Sequence, residues 1–303
     1  MTYWVEIPRE DRRATQSQMP KQLNEDGWLT AAAQKRRVLE SPLLNFINRR
    51  IRIPFSLSAK RDRFFIKSVR SLPPASKIVD LGCGSGRPYF VQNGNEVVGV
   101  DLCEPLLEQA RTLYSRCVFQ DIFEFLQEDD GVYDCIVSSD VIGHIPFELH
   151  PKLYQEIARH LRPGGLTAHF IEVEHHSFWS DVALSLSPEL FQQEFVNRVG
   201  HIALRPIGEH LEHLNSAGMK LVDLQVMASH VVECGMIHSM FWPAYAPVAP
   251  AWLRLASGLD HMLSRNMFVK EAINVVLNPL ESLNTALQRQ ENTTAMMLCA
   301  EKA

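Results

Sequence analysis

The spacing of apolar residues along this chain switches between two periods, and the switches mark its elements. Short apolar runs bounded by Gly, Pro or acids recur through the middle of the sequence. They predict strands at 77–82, 96–101, Cys117–Asp121, Tyr133–Ser139 and Leu166–Glu174. Between them, apolar residues three and four apart predict helices. Leu106, Leu107, Ala110 and Leu113 align over about 104–115, and Leu149, Leu153, Ile157 and Leu161 over about 148–161. Arg162-Pro-Gly-Gly165 carries stop signals after the second of these. Upstream, residues 1–26 are polar. Trp28–Arg50 has a helical pattern interrupted at Pro42, and 59–72 predicts a helix with Phe64, Phe65, Val69 and Leu72 inward. Beyond the fifth strand, Pro206–Ala217 predicts a helix, and Gly218–Val226 and Thr294–Ala300 predict strands. Alternating strands and helices of this kind build an α/β fold on a mostly parallel sheet.

The connection between the first two strands carries the chemistry. Lys77-Ile-Val-Asp-Leu-Gly-Cys-Gly-Ser-Gly-Arg87, followed by Glu96-Val-Val-Gly-Val-Asp101, predicts strand, glycine loop, short helix, and a strand ending in a carboxylate. That is half of a nucleotide-binding unit. Gly82, Gly84 and Gly86 let backbone approach a ligand, and Asp101, 19 positions after Gly82, is placed to accept hydrogen bonds from ribose hydroxyls. A dinucleotide loop has the order G-x-G-x-x-G, whereas this loop is G-x-G-x-G and adds an acid, Asp80. An acid there suits a ligand with a positive end better than a pyrophosphate. S-adenosylmethionine (SAM) has an ammonium and a sulfonium and no phosphate.

Val79-Asp-Leu-Gly-Cys-Gly-Ser-Gly86 resembles the first motif of class I SAM-dependent methyltransferases. Asp101-Leu-Cys-Glu-Pro-Leu-Leu-Glu-Gln-Ala-Arg111 resembles that family's next segment, and Tyr154–Gly165 resembles the turn before its fifth strand. The resemblance implies a Rossmann-like seven-stranded sheet of order 3-2-1-4-5-7-6, whose last two strands form an antiparallel hairpin. Residues 230–292 are then an insertion inside that hairpin. It has a Pro-rich turn at 243–250, helices near 251–264 and 268–289, and the aromatics Phe241, Trp242, Tyr245 and Trp252. The implied organisation is an N-terminal helical cap at 1–76, a SAM-binding core at 77–229 and 293–303, and a helical lid at 230–292. One departure is visible. Only Arg87–Asn95 separate the glycine loop from the second strand, about two residues fewer than the family's first helix leads one to expect.

The resemblance also assigns roles. Gly82, Gly84 and Gly86 line the cofactor, and Asp101, with Leu102 beside it, takes the ribose. Asp121 and Ile122 face the adenine, unless Asp121 is only a helix N-cap. Asp80 and Ser139 lie near the methionine portion, although Asp80 could instead bond the amides of the glycine loop. His144, in Ser138-Ser-Asp-Val-Ile-Gly-His-Ile-Pro146, is the candidate catalytic base, or a loop histidine. Glu172, Glu174, His175 and His176 end the fifth strand and are candidates to line an acceptor pocket, with Phe178 and Trp179 as wall or lid packing. Neighbouring histidines on a strand point to opposite faces, so no metal site is expected there.

Composition narrows the classes further. Hydrophobic residues make up 46% of the 303 positions and charged ones 21%, enough apolar content for a real core. No uninterrupted apolar window predicts a membrane span. None of the six cysteines is spaced as CxxC, the usage of a reducing, cytoplasmic compartment. Charge is uneven: residues 1–76 carry 15 Lys/Arg against 7 Asp/Glu, and the remainder 15 against 28, or about +8 and about −13. The basic start leaves open a contact with an anionic membrane surface, and the acidic remainder disfavours nucleic acid. The leading reading is a SAM-dependent methyltransferase, leaving S-adenosylhomocysteine (SAH) as product and acting on a small, fairly apolar acceptor. A lipid or nucleic-acid methyltransferase and a non-catalytic SAM-fold scaffold are the alternatives.

Overall fold

The computed structural model describes residues 57–174, 177–197, 203–227, 232–287 and 293–303. The helical pattern at Trp28–Arg50 and the residues His175, His176 and His230 lie outside the described residues. In chain order the elements begin with helix α1 (Leu57–Arg70), strands β1 (Lys77–Leu81) and β2 (Glu96–Asp101), α2 (Glu104–Ala110) and β3 (Arg116–Phe119). Then come α3 (Ile122–Glu128), β4 (Tyr133–Ser139), α4 (His150–His160), β5 (Leu161–Glu172), α5 (Phe178–Leu186) and α6 (Pro188–Phe191). The last are α7 (Ile207–Ser216), β6 (Met219–Met227), α8 (Met236–Phe241), α9 (Ala251–Arg265), α10 (Met267–Leu287) and β7 (Ala295–Lys302).

The strands form one sheet in the expected order, β3-β2-β1-β4-β5-β7-β6. The first five are parallel, and β7 runs antiparallel between β5 and β6. Strand residues alternate between two cores, as a pleated strand covered on both faces requires. Ile78, Cys135 and Val137 pack with Phe64, Phe65 and Val69 of α1 and Leu107 and Ala110 of α2. Val79, Leu81 and Ile136 pack with Phe125 and Leu126 of α3, Tyr154 and Ile157 of α4 and Leu214 of α7. Strand order reverses between β1 and β4, and their carboxyl ends define the rim where α/β sheets bind ligands.

Three expectations change. Residues 57–76 are not a cap set over the strands: Phe64 and Phe65 of α1 are buried as one layer of the core. The short helix expected between β1 and β2 is replaced by turns and a single 3-10 turn, Gln92–Gly94. Pro88 and the positive φ of Asn93 leave no room for a helix in so short a link. Its apolar residue Phe90 is buried edge-on against Phe65, with ring centroids 5.7 Å apart. Third, Arg162–Gly165 is not a turn before the fifth strand but a bulge inside it. Tyr133 pairs with Leu161 and Cys135 with Leu166, so the extra residues loop out while Arg162 Nε holds Asp134 Oδ1 at 2.5 Å.

The helical insertion shares its packing with the stretch just after β5. Phe241, Tyr245, Ala249 and Leu253 form a small third core that Ala183 of α5 also joins, with Trp179, Phe191 and Phe195 packed against it. Helices α5 and α6 therefore pack with the insertion, whereas α7 packs on the sheet. Among the described residues no helix is long and apolar enough to cross a membrane. The six cysteines are unpaired.

Candidate functional site: the rim above β1, β2, β4 and β5

The glycine loop is built by close approach. Gly82 has φ +67°, and a Cβ there would lie 2.3 Å from Val141 Cγ2, so the loop after β4 can pass over β1 only at a glycine. Gly84 and Gly86 also have positive φ. The Gly82 and Cys83 amides donate to the Val100 carbonyl at 2.8 and 3.1 Å, tying the loop to β2. Asp101 completes the tie: its Oδ2 accepts from the Gly84 amide at 2.7 Å and its Oδ1 from the Cys103 amide at 2.8 Å. A carboxylate has about four acceptor positions, so each oxygen keeps one for a ligand hydroxyl. Above Gly84 there is room. A Cβ there would meet only Leu106 Cδ1, at 3.9 Å. Leu102, just past the carboxylate, turns outward and is exposed.

Asp80 is placed differently from the expectation. It lies beneath the loop, buried, and accepts at 2.7 Å from the phenol of Tyr114, which in turn accepts from the Arg87 amide at 2.7 Å. It therefore braces the loop through Tyr114 and presents no carboxylate to the rim, nor does it bond the glycine amides. Burial pushes its carboxyl up to about 6, opposed by the Tyr114 hydrogen bond and by Arg87. Asp121 is the N-cap of α3, accepting from the Phe123 and Glu124 amides at 2.8 and 3.4 Å. Ile122, half-buried beside it, packs against the core.

A second group of charges gathers at the ends of β4 and β5. Asp140 follows Ser139 directly and holds φ +61°, a left-handed conformation in a residue other than glycine. Ser139 Oγ donates to Asp140 Oδ2 at 3.0 Å, and the Arg61 guanidinium of α1 pairs with the same oxygen. Arg61 also lies over the Phe170 ring, 5.3 Å from its centroid. Glu172 at the end of β5 shares a hydrogen bond with Asp140. Burial first, and then that bond and the Asp140 charge, push the Glu172 carboxyl up to about 8. Glu172 therefore keeps its proton near neutrality. His144 is half-buried in the 3-10 turn Ile142–His144, on the loop after β4. Gly143 of that turn faces Glu172, whose Oε2 would be 3.6 Å from a Cβ there. Trp179 is apart from this group, its ring 5.9 Å from Phe241 in the insertion's own core. Among the described residues no His, Cys, Asp or Glu group is arranged to hold a metal ion.

Residues 78–165 match a family model described as a methyltransferase domain. They span the glycine loop, the Asp101 tie and the β4 rim, and the 3-2-1-4-5-7-6 sheet surrounds them. Residues 78–165 are thus a methyltransferase domain, set in the sheet order of the class I SAM-dependent fold. Its relatives include "probable tRNA methyltransferase 9B" of Homo sapiens, 37% identical over 93 residues, which are 30% of this chain and 20% of that protein. Another is the 27-O-demethylrifamycin SV methyltransferase of Amycolatopsis mediterranei, 27% identical over 163 residues, covering 49% of this chain and 56% of the relative. The chain therefore spans 20% to 56% of the length of these two curated relatives. A solved structure of the mycolic acid cyclopropane synthase CmaA1, complexed with SAH and CTAB, shares the fold. It is 15% identical with a TM-score of 0.50, covering 81% of this chain and 85% of that one.

In and beside this methyltransferase domain, sequence reasoning missed three residues. Tyr114 shows only as an aromatic at the end of a helix. Asp140 could have been found, because it is the first polar residue past a buried strand on the ligand-binding rim. Arg61 carries no local signal, since its partner lies 79 residues away and only the fold brings them together.

Proposed function

We propose that this chain is a SAM-dependent methyltransferase acting on a small, fairly apolar acceptor held between the strand rim and the helical insertion. The observation that carries the reading is the Asp101 tie across the glycine loop, with open space above Gly84. A bent loop with a two-amide carboxylate and no Cβ above it suits a nucleoside with a cationic tail. SAM supplies an activated methyl group on a sulfonium. The chain's residues then have to bind, orient and exclude water. Asp101 accepts the ribose hydroxyls, Leu102 and Ile122 flank the adenine, the Gly82–Gly86 backbone passes close beneath, and Ser139 borders the methionine portion. His144, on the loop beside Gly143 and Glu172, is placed to take a proton from an O- or N-acceptor. Glu172 and Asp140 form the polar wall of the acceptor side.

Helices α5 and α8–α10 serve as a lid, giving an enclosed apolar site. The acidic balance of residues 77–303 disfavours a nucleic-acid acceptor, and the intact glycine loop disfavours a scaffold without catalysis. The six unpaired cysteines support a reducing, cytoplasmic setting. The test is titration calorimetry with SAM and SAH, with NAD as control. Micromolar binding of both, none of NAD, and a loss of about tenfold or more for Asp101→Ala (about 1.4 kcal/mol) are expected. Unchanged affinity in the variant would remove Asp101 from the ribose, and no binding at all would favour the scaffold reading.

A further inference from the structure

Helix α10 is amphipathic the wrong way round for a soluble fold. Glu271, Asn274, Asn278 and Glu281 recur at three- and four-residue spacing and are buried, with Asn274 wholly so. At about 100° per residue they occupy one side of the helix, and Val276, Leu280, Leu283 and Leu287 occupy the opposite side. That apolar side is exposed, Leu287 by 75%. The inner row has work inside the fold. Asn274 Oδ1 accepts from the Cys234 amide at 2.8 Å, and Glu281 attracts the Lys60 ammonium of α1. Helix α9, joined to α10 at Asn266, has the same outward stripe in Trp252, Leu255, Leu259 and Met262, with Leu255 also 75% exposed. Stripes of this size and continuity on a surface mark something that covers them.

The charges identify what. Every acid of 236–287 is turned in: Asp260 accepts from the Gly235 and His238 amides at 2.7 and 3.0 Å, and Glu271 and Glu281 are buried. The exposed charged residues of the segment are Arg254 and Arg265. With His261, also exposed, they recur seven and four residues apart along one flank of the α9 stripe. An apolar stripe edged by cations and free of exposed acids fits an anionic bilayer surface, with the apolar residues at the acyl boundary and the arginines at the headgroups. A second copy of the chain would set cation against cation. We infer that the outer faces of α9 and α10 are a peripheral docking surface for an anionic membrane. This inference stands independently of the methyl-transfer reading.

The test is flotation of the full chain with vesicles of phosphatidylcholine alone and of phosphatidylcholine with phosphatidylglycerol. Flotation with the anionic vesicles is expected, weakened about tenfold or more by Leu255→Asp/Leu259→Asp. Arg254→Glu/Arg265→Glu should weaken it on anionic vesicles alone, and more at low salt than at high. Each variant is checked by its melting temperature, which should be unchanged for the leucine pair and slightly lower for the arginine pair, where Arg254 loses the bond its Nε donates to the Ala249 carbonyl at 2.8 Å. Three results overturn the inference. One is no flotation at low salt. Another is flotation that neither double variant reduces, which moves the contact elsewhere in the chain. The third is a dimer by sedimentation that Leu255→Asp/Leu259→Asp dissociates while wild-type protein does not float.

Discussion

Strand β1 and helix α10 both bury acids, and they do so in opposite surroundings. In β1 the acid Asp80 sits among Ile78, Val79 and Leu81, all buried, and has a phenol donor of its own. The apolar groups around it are inside, where they stabilise the fold. In α10 the polar residues take the inner face and the apolar ones are left outside. Burial of apolar area is the main favourable term in folding, so the two regions differ in what holds them. The sheet core is stable through its own packing. The insertion draws on the small core around Phe241 and Tyr245, and leaves a large part of its apolar surface unused within the chain. The outward faces of α9 and α10 are therefore explained by what they meet rather than by folding.

The largest effect expected from this contrast is on stability. Phe65→Ala, in the layer between α1 and the sheet, should cost about 3–5 kcal/mol. Leu255→Ala, on the outer face of α9, should stay within about 0.5 kcal/mol. Urea unfolding of both variants measures the difference directly. Comparable losses would mean that the α9 stripe is packed within the folded chain, and the contrast would fail.

A smaller effect tests the acid in β1. The ordinary carboxyl value is 3.8, and Asp80 is held at about 6. Between these values the folded chain keeps a proton that the unfolded chain has lost, so stability falls as pH rises from about 4 to about 6. The full loss above that window is roughly 3 kcal/mol, from about 2 units at about 1.4 kcal/mol each. Asp80→Asn keeps an oxygen acceptor for Tyr114 and removes the titration. Its urea midpoint should exceed that of the wild type above pH 6, with the gap closing toward pH 4. Parallel curves over pH 4–7 would show that Asp80 ionises at its ordinary value.

The same contrast explains how much of the molecule the sequence discloses. Continuous apolar runs, the three glycines and Asp101 disclose the strands and the glycine loop, because local chemistry and tertiary role coincide there, and the family resemblance those residues carry implies the sheet order. Periodicity also finds α9 and α10 to within a few residues. It gives a helix two faces without saying which one is turned inward, so the inverted burial of α10 is invisible until the fold is known. Pro163 and Gly164 announce a break equally well for a turn and for a bulge, and the bulge is what forms. Asp80 illustrates a further limit. An acid near the end of a buried strand has the same sequence signature whether it faces a ligand or a tyrosine from the turn before β3.

The smallest effect concerns the acid pair, where β4 and β5 meet α1. Asparagine tolerates the left-handed backbone that Asp140 adopts, so Asp140→Asn should change stability by no more than about 1 kcal/mol. Its effect on Glu172 has a definite sign. Burial is the first cause of the raised Glu172 value, and it remains in the variant. The charge and hydrogen bond of Asp140 are the next causes, and removing them lowers it. Arg61, now facing Glu172 without a competing carboxylate, lowers it again. The Glu172 titration, followed by carboxyl carbon NMR, should therefore move from about 8 toward acid by about one pH unit. If proton transfer at this rim limits methyl transfer, the rate profile of the variant shifts the same way while SAM affinity holds. A Glu172 titration that stays in place would mean that burial alone sets it and that Asp140 does not act on it.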